Sequence, residues 1–229
     1  MTVRQGDVTV DWIGYATARV AVGAGPVVYV DPGRYGVLEG YDARDGDVVL
    51  VTHDHHYDPD GIRRVARPDA TVVVFEAVDA ARIDRDVEAV AGLPHDVVRI
   101  GPRTTCEVRG VTVRTTPARN LGDAEAVSHP PGFGCGYVLA VGDRRIFWPG
   151  DTDLLESFAE LDADVYLANI GGSVVMDRRD AAELASWLAP DLTVPIHYDT
   201  IPILEADAAA FAADVAGRGL PVAIDDPAP

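Results

Sequence analysis

The chain has 229 residues, 48% of them hydrophobic, which is enough for one well-packed core. It carries 37 acidic residues against 19 basic ones, all of them arginine, so its net charge is −18. Such a surface repels phosphate backbones and anionic lipids, which argues against nucleic-acid and membrane partners. Because salt screens repulsion between carboxylates, the same composition predicts a halophilic protein from a high-salt cytoplasm.

The sequence shows no pattern typical of a signal peptide, a membrane span or a disulfide scaffold. The start, Met1–Asp7, lacks the charged head and apolar stretch of a signal peptide. No apolar run approaches the roughly 18 residues that a bilayer requires. Cys106 and Cys135 are too few for a disulfide scaffold and do not form a CxxC metal pair. We therefore predict a reduced, cytoplasmic protein.

Short β-branched runs, each bounded by Gly, Pro or Asp, predict strands along the chain. They are Val8–Val10, Val27–Val30, Val48–Val51, Thr71–Phe75, Val111–Val113, Gly136–Ala140, Arg145–Trp148, Val165–Ala168 and Thr193–Ile196. Stretches with helical spacing lie between them, at Pro59–Ala66, Val78–Ile83, Leu154–Leu161, Arg179–Leu188 and Glu205–Ala216. Interleaved strands and helices without a low-complexity linker predict one α/β or α+β layered domain over residues 1–229.

Three of the six histidines fall within four residues, directly after the predicted strand Val48–Val51. His53 and His55 lie two residues apart, and at an extended strand end their side chains would point to the same side. Imidazole suits zinc, iron, copper or nickel. Histidines this dense after a buried strand favour a metal site over a polar turn that happens to contain them.

Two later strands also lead into residues that can bind a metal. Arg145–Trp148 is followed by Asp151, and Thr193–Ile196 is followed by His197. Side chains projected from several strand ends converge on one edge of a sheet, so we expect these groups to share one site. A carboxylate that bridges two cations would hold a hydroxide ready to attack carbon or phosphorus.

Seven segments occur in an order that resembles one known family. They are Trp12–Ala16, Tyr29–Pro32, Val51–His55, Thr116–Asn120, Gly150–Thr152, Asn169–Gly172 with Met176 and Asp177, and Pro195–Thr200. The chain resembles the metallo-β-lactamase-fold hydrolases over nearly its whole length. It is most similar to the branch of ascorbate-phosphate-lactonase-like and uncharacterised metal-dependent hydrolases. The resemblance implies an α+β fold, a four-layer αββα sandwich with metals at one edge.

The resemblance also implies a role for each matching residue. His53 and His55 match the first two ligands of one metal, Asp151 the bridging carboxylate, and His197 a ligand of the other metal. Asp31 resembles an acid that orients a ligand imidazole from behind. The implied cofactor is one or two zinc ions, with manganese or iron as alternatives.

The histidine motif departs from the family pattern His-x-His-x-Asp-His, because Tyr57 and Asp58 stand where that pattern has its aspartate and last histidine. One alignment deletes two residues, so that His56 becomes the last histidine and the aspartate is lost. The other keeps the spacing and lets Asp58 substitute for the histidine. The first fits the following sequence better. Asp58 stays a candidate catalytic residue beside Asp151.

A second departure is Asn120, since relatives have a histidine ligand near this place. Asn120 could ligate through its carbonyl oxygen, but it is a poor zinc ligand. His129 is the alternative metal ligand, and an ordinary surface-loop histidine is an equally good interpretation of it. His95 lies outside every matching segment, and we expect it at the surface.

The predicted function is hydrolysis of a small ester, lactone or phosphoester by a metal-bound hydroxide. The alternative is a metal-binding protein of the same fold with weak or no activity, because its metal motif is altered. A nuclease is disfavoured by the acidic composition and the absence of lysine. The expected partner is a small-molecule substrate, and the sequence leaves a homo-oligomer open.

Overall fold

The computed structural model describes residues 2–225. Its first sheet has seven strands in chain order, antiparallel from β1 to β4 and parallel from β4 to β7. These strands are β1 (Val3–Gln5), β2 (Val8–Gly14), β3 (Thr17–Val22), β4 (Val27–Val30), β5 (Gly46–Val51), β6 (Ala66–Phe75) and β7 (Asp96–Ile100). The residues from Val48 to Val51 in β5 are fully buried, as expected for a parallel strand covered on both faces.

The second sheet has six strands in the order β13-β12-β11-β10-β9-β8. They are β8 (Thr105–Val108), β9 (Val111–Ala118), β10 (Gly134–Val141), β11 (Arg144–Trp148), β12 (Val165–Asn169) and β13 (Leu192–Ile196). β8 to β11 pair antiparallel, and β11 to β13 pair parallel. The two sheets meet where the Tyr137 hydroxyl donates to the Val51 carbonyl at 2.8 Å.

Among residues 2–225, three α-helices flank the sheets. α1 (Pro59–Val65) packs against β5 and β6, α2 (Arg178–Leu188) packs against β12, and α3 (Ala208–Ala216) packs against α2. Each helix begins after an aspartate whose carboxylate accepts N–H groups of the first turn: Asp58, Asp177 and Asp207. Helices flank both sheets, so the predicted α+β sandwich is confirmed.

Some predicted elements differ from the observed ones. The predicted helices Val78–Ile83 and Leu154–Leu161 are single 3-10 turns, Ala80–Arg82 and Glu156–Glu160. These turns bury at most one residue, Phe158, which is too little apolar contact to stabilise a longer helix. Four strands were not predicted: β1, β3, β7 and β8. β1, β7 and β8 lie at sheet edges, where strands are less buried and their sequences contain fewer apolar residues. β3 contains two alanines, a residue with low strand propensity.

Within residues 2–225, no helix combines the length and apolar character needed to cross a bilayer.

Candidate metal centre

His53 keeps the extended backbone predicted for the strand end, but His55 and His56 lie on a tight turn that was not predicted. β5 ends at Val51, and Asp54–His56 forms a 3-10 turn directly after His53. The turn brings the ring centroids of His53 and His56 to 4.3 Å, and both side chains are buried. Asp54 points away from them and accepts the Asp79 backbone N–H at 2.8 Å, as expected for a residue between ligands.

The second sheet supplies three more predicted residues. Asp151 follows β11 through Gly150, whose φ of +70° suits glycine. A Cβ at Gly150 would also lie 2.4 Å from the Cys135 carbonyl oxygen, so this close approach of two strands requires glycine. His197 follows β13 directly, and His129 lies on the long connection between β9 and β10. All three ligand candidates are buried.

Asp151 stands at the centre of the cluster. One carboxylate oxygen, Oδ2, lies 3.4 Å from His129 Nε2, 3.5 Å from His53 Nε2 and 3.6 Å from His56 Nε2. The other oxygen, Oδ1, lies 3.0 Å from His197 Nε2. His55 joins the cluster through Nδ1, which is 3.2 Å from His129 Nε2. The structure thus brings His53, His55, His56, His129, Asp151 and His197 together.

The buried carboxylate of Asp31, which directly follows β4, orients the imidazoles of His56 and His53. Asp31 Oδ2 lies 3.0 Å from His56 Nδ1, which is the contact that the resemblance implies. The Thr52 hydroxyl lies 3.0 Å from Asp31 Oδ2 and 2.8 Å from His53 Nδ1. With Nδ1 of each ring donating toward these acceptors, Nε2 of His53 and His56 is left free to accept a metal.

His129 is held in the same way by different partners. Its Nδ1 lies 3.0 Å from Asn120 Oδ1 and 3.1 Å from the Val174 carbonyl oxygen. Asn120 Oδ1 also accepts the His129 backbone N–H at 3.1 Å. The structure therefore places Asn120 behind His129, as its hydrogen-bond partner, and leaves His129 Nε2 facing Asp151.

The donor atoms fit a divalent metal. Among residues 2–225, Nε2 of His53 and Nε2 of His56 are buried and have no hydrogen-bond partner, an arrangement that is costly unless something else binds them. In the part of the chain that the structure describes, two groups have donor atoms within 4.8 Å of one another: His53, His55 and His129, and His53, His56 and Asp151. Imidazole and carboxylate together suit zinc, iron and manganese.

The electrostatics keep most of these rings neutral. Burial and the neighbouring His56 hold the pKa of His53 well below its usual range. Burial lowers the pKa of His55 to about 4 and also lowers the pKa of His129. Burial opposes ionisation of Asp151, yet the adjacent His56, His197 and His53 hold its pKa well below the usual range. Burial opposes protonation of His56, yet the adjacent Asp151 and Asp31 outweigh it and raise the pKa of this ring. Asp151 can therefore bind a cation without first losing a proton, whereas a protonated His56 must lose one before it binds metal.

Asp58, predicted as a candidate catalytic residue, lies apart from this cluster. Its Oδ1 accepts the N–H groups of Asp60 and Gly61 at 3.1 Å, which caps α1. Its Oδ2 accepts the Arg34 N–H at 2.9 Å. Both oxygens thus accept backbone N–H groups, and Oδ2 also lies 3.9 Å from Arg85 Nη1. His56 takes the place beside Asp151. His95, expected at the surface, is half-buried and is not part of the cluster.

A cavity of about 280 Å³ opens onto the cluster and is lined by His55, His129, Asp151 and His197. Two residues that line this cavity, Tyr15 and Arg34, were not predicted as site residues from the sequence. Tyr15 packs edge-on against His56 and His197, with centroids at 5.0 and 4.6 Å, and Arg34 stands beside His55. Both residues follow glycines, Gly14 and Gly33, but a glycine in the sequence does not by itself show that the next side chain reaches a cavity.

A larger cavity of about 620 Å³ lies elsewhere, and none of the six clustered residues lines it. Its walls come from β9, β10 and the loops around Arg103 and Leu155. The smaller cavity is the better candidate for a substrate site, because it opens onto the clusters of potential metal ligands found within residues 2–225.

Known proteins share both the sequence pattern and the fold. Residues 9–197 match the family described as the β-lactamase superfamily domain. A UPF0173 metal-dependent hydrolase of Methanopyrus kandleri is 30% identical over 227 residues, which cover 94% of each chain. Another, from Carboxydothermus hydrogenoformans, is 32% identical over 189 residues, 78% of this chain and 77% of that one. The metallo hydrolase Igni18 of Ignicoccus hospitalis has a TM-score of 0.71 at 20% identity, covering 97% of this chain and 96% of its own.

Proposed function

Because the chain belongs to the β-lactamase superfamily and is a metal-dependent hydrolase, we propose that it binds zinc and hydrolyses a small ester, lactone or phosphoester. The observation that carries this proposal is the environment of Asp151. One buried carboxylate lies within 3.0 to 3.6 Å of four imidazoles that come from both sheets, and two of their nitrogens have no other partner among residues 2–225.

We assign the donors to two positions. His53, His55 and His129 would hold one ion, and His56 and His197 would hold the other, with Asp151 in reach of both. When bound, such ions lower the pKa of a coordinated water toward neutrality and polarise a carbonyl or phosphoryl oxygen. Manganese and iron remain alternatives to zinc, since the donor set suits all three.

The chain's own residues prepare the site for this chemistry. Asp31 and Asn120 hold the imidazoles of His56 and His129 in fixed orientations, so little ordering is needed when a ligand binds. Tyr15 covers His56 and His197 with its ring and restricts water on that side. His55 is half-buried and faces the cavity, so substrate meets the cluster on the side of His55 and His129.

The test is a turnover assay on protein loaded with zinc, manganese or iron, against panels of 4-nitrophenyl esters, lactones and phosphoesters. We expect turnover of at least one panel, loss of that turnover in His53→Gln, and its retention in His95→Gln. His95 is a matched control because it is half-buried and stands apart from the cluster. Equal activity in His53→Gln and the wild type would contradict the proposal.

A metal-binding protein with weak or no hydrolytic activity is the second candidate. It is favoured by the single carboxylate, Asp151, in the clusters found within residues 2–225, and by the commitment of Asp58 to capping α1. Tight metal binding without turnover on any panel would support this candidate over hydrolysis.

A further inference from the structure

The loop after β4 holds a cation at the mouth of the metal site. Gly33, Arg34, Tyr35 and Gly36 all have positive φ, at +116°, +65°, +53° and +76°. Two consecutive non-glycine residues in the left-handed region cost conformational energy, and such strain persists only where the surroundings impose it. The loop therefore needs a restraint, and Asp58 supplies one.

Asp58 ties this loop to the start of α1. Its Oδ2 accepts the Arg34 backbone N–H at 2.9 Å, while its Oδ1 caps the helix. The two segments also touch closely. A Cβ at Gly33 would lie 2.8 Å from the Asp58 Cβ, and one at Gly61 would lie 2.4 Å from the Pro32 carbonyl oxygen. The backbone of Arg34 is thus held at a fixed distance from the histidine turn.

The guanidinium of Arg34 is held but not neutralised. Its Nη1 donates to the His55 carbonyl oxygen at 2.5 Å, and its Cζ lies 4.7 Å from the centroid of the Tyr35 ring. Within residues 2–225, no carboxylate lies within ion-pair distance of this guanidinium, although most other arginines of the chain have one. The positive charge of Arg34 is therefore left for an anion that enters the cavity.

The cavity leaves room for a ligand anion at this position. Arg34 lines it together with the side chains of Tyr35, Ser128 and Ile203, and Asp151 is its one lining carboxylate. Asp151 is already surrounded by imidazoles. The remaining N–H groups of the guanidinium can pair with a planar or tetrahedral oxyanion in the geometry that arginine prefers.

We propose that Arg34 recognises an oxyanion of the substrate, a carboxylate or phosphate separate from the bond that is cleaved, and that Asp58 positions Arg34. This inference rests on the proposed hydrolytic function and adds a substrate class to it. Arg34 determines specificity by contact with the substrate. Asp58 acts through the loop and does not touch the substrate.

A pair of esters tests the role of Arg34. 4-Nitrophenyl hydrogen succinate and 4-nitrophenyl butyrate share a leaving group and chain length, and only the first has a terminal carboxylate. We expect metal-loaded wild type to prefer the succinate in kcat/KM, after subtraction of spontaneous hydrolysis. Loss of a charge-assisted hydrogen bond in Arg34→Gln should reduce that preference by about 10- to 100-fold, mainly through KM.

The control is Arg119→Gln, because Arg119 is exposed, lines the other cavity and has no acidic partner among residues 2–225. It should keep the wild-type preference within about twofold, as surface substitutions usually do. The proposal is overturned if Arg34→Gln slows both esters equally, or if the wild type prefers the butyrate.

The positioning role of Asp58 has its own matched pair. Asparagine caps helices about as well as aspartate, so Asp58→Asn should keep the cap of α1 but lose the acceptor for Arg34 N–H. Asp177→Asn makes the same change at the cap of α2, where Oδ1 alone accepts the backbone N–H groups. We expect the succinate preference to fall in Asp58→Asn and to stay unchanged in Asp177→Asn. Equal preferences in the two variants would remove Asp58 from the proposal.

Equilibrium binding separates this inference from the hydrolytic function. If wild type hydrolyses neither ester, calorimetric titration with monomethyl succinate, methyl butyrate and inorganic phosphate still tests Arg34. Weaker binding of monomethyl succinate or of phosphate to Arg34→Gln, with metal content unchanged, supports the oxyanion site and shows which anion it accepts. Identical binding of both anions to wild type and Arg34→Gln overturns it.

Discussion

The two sides of the ligand cluster orient their imidazoles by different means. On the first-sheet side, His53 and His56 both depend on one buried carboxylate, Asp31, directly for His56 and through the Thr52 hydroxyl for His53. On the second-sheet side, His129 has two neutral acceptors, Asn120 Oδ1 and the Val174 carbonyl oxygen. The orientation of His53 and His56 thus depends on one charged acceptor, whereas the orientation of His129 depends on two neutral acceptors.

This difference predicts unequal tolerance to mutation. A charged acceptor forms stronger hydrogen bonds than a neutral one, but its loss disturbs every ring that depends on it. A duplicated acceptor leaves the ring oriented when one partner is removed. Metal affinity should therefore fall more when the hydrogen-bond partners of His53 and His56 are mutated than when a partner of His129 is mutated.

Removal of Asp151 should have the largest effect, because its carboxylate reaches rings on both sides. Asp151→Ala should weaken metal binding by more than the roughly 10- to 100-fold typical for residues behind a ligand. Competition with a metal-binding dye measures this. Wild-type affinity in Asp151→Ala would mean that the two sides bind metal independently of the carboxylate between them.

Asp31→Asn should come next, at about 10- to 100-fold weaker metal binding. Asp31 accepts the Trp148 Nε1–H at 2.8 Å and the Thr52 N–H at 2.8 Å, as well as facing His56. An amide NH2 must face one of these donors, and opposite His56 it would favour the tautomer with a proton on Nε2. The same dye titration applies, and an unchanged affinity would show that Asp31 does not orient the ring.

Thr52→Val should have an intermediate effect, about tenfold on metal affinity, since one buried hydrogen bond to His53 is lost. Valine keeps the shape and the backbone N–H bond to Asp31 but removes the hydroxyl. Thr52→Ser is the control, because it retains the hydroxyl and should bind metal as the wild type does. If both variants bind equally well, the hydroxyl does not hold His53.

Asn120→Ala should have the smallest effect, only a few-fold, because a neutral hydrogen bond contributes about 1 kcal/mol and the Val174 carbonyl still accepts from His129. The variant also loses the bond from Asn120 Nδ2 to Asp153, so its thermal midpoint should be measured beside its metal affinity. A loss larger than that of Asp31→Asn would reverse the comparison between the two sides.

The sequence predicted the parts of this site that are local. Histidines clustered after a buried strand, and Asp151 and His197 stood directly after β11 and β13, so strand ends alone placed them at one edge. The interior strands were predicted because burial on both faces demands continuous apolar runs, as in Val48–Val51. Edge strands such as β7 lack that signal.

The parts that depend on backbone turns were not predictable. An extended strand would have paired His53 with His55, whereas the 3-10 turn brings His56 beside His53. Asp58 could be assigned to the metal or to the helix from its spacing alone, and only the position of α1 separates the two. Arg34 reaches the cavity through a loop of four residues with positive φ, which residue types do not reveal.

The central claim is that histidines from both sheets hold metal together, and metal content per chain tests it most directly. We expect elemental analysis to find at least about one ion per wild-type chain, and a similar amount in His95→Gln. His53→Gln and His197→Gln, one from each side, should each bind clearly less. Full metal content in both of these variants, or none in the wild type, would contradict the account.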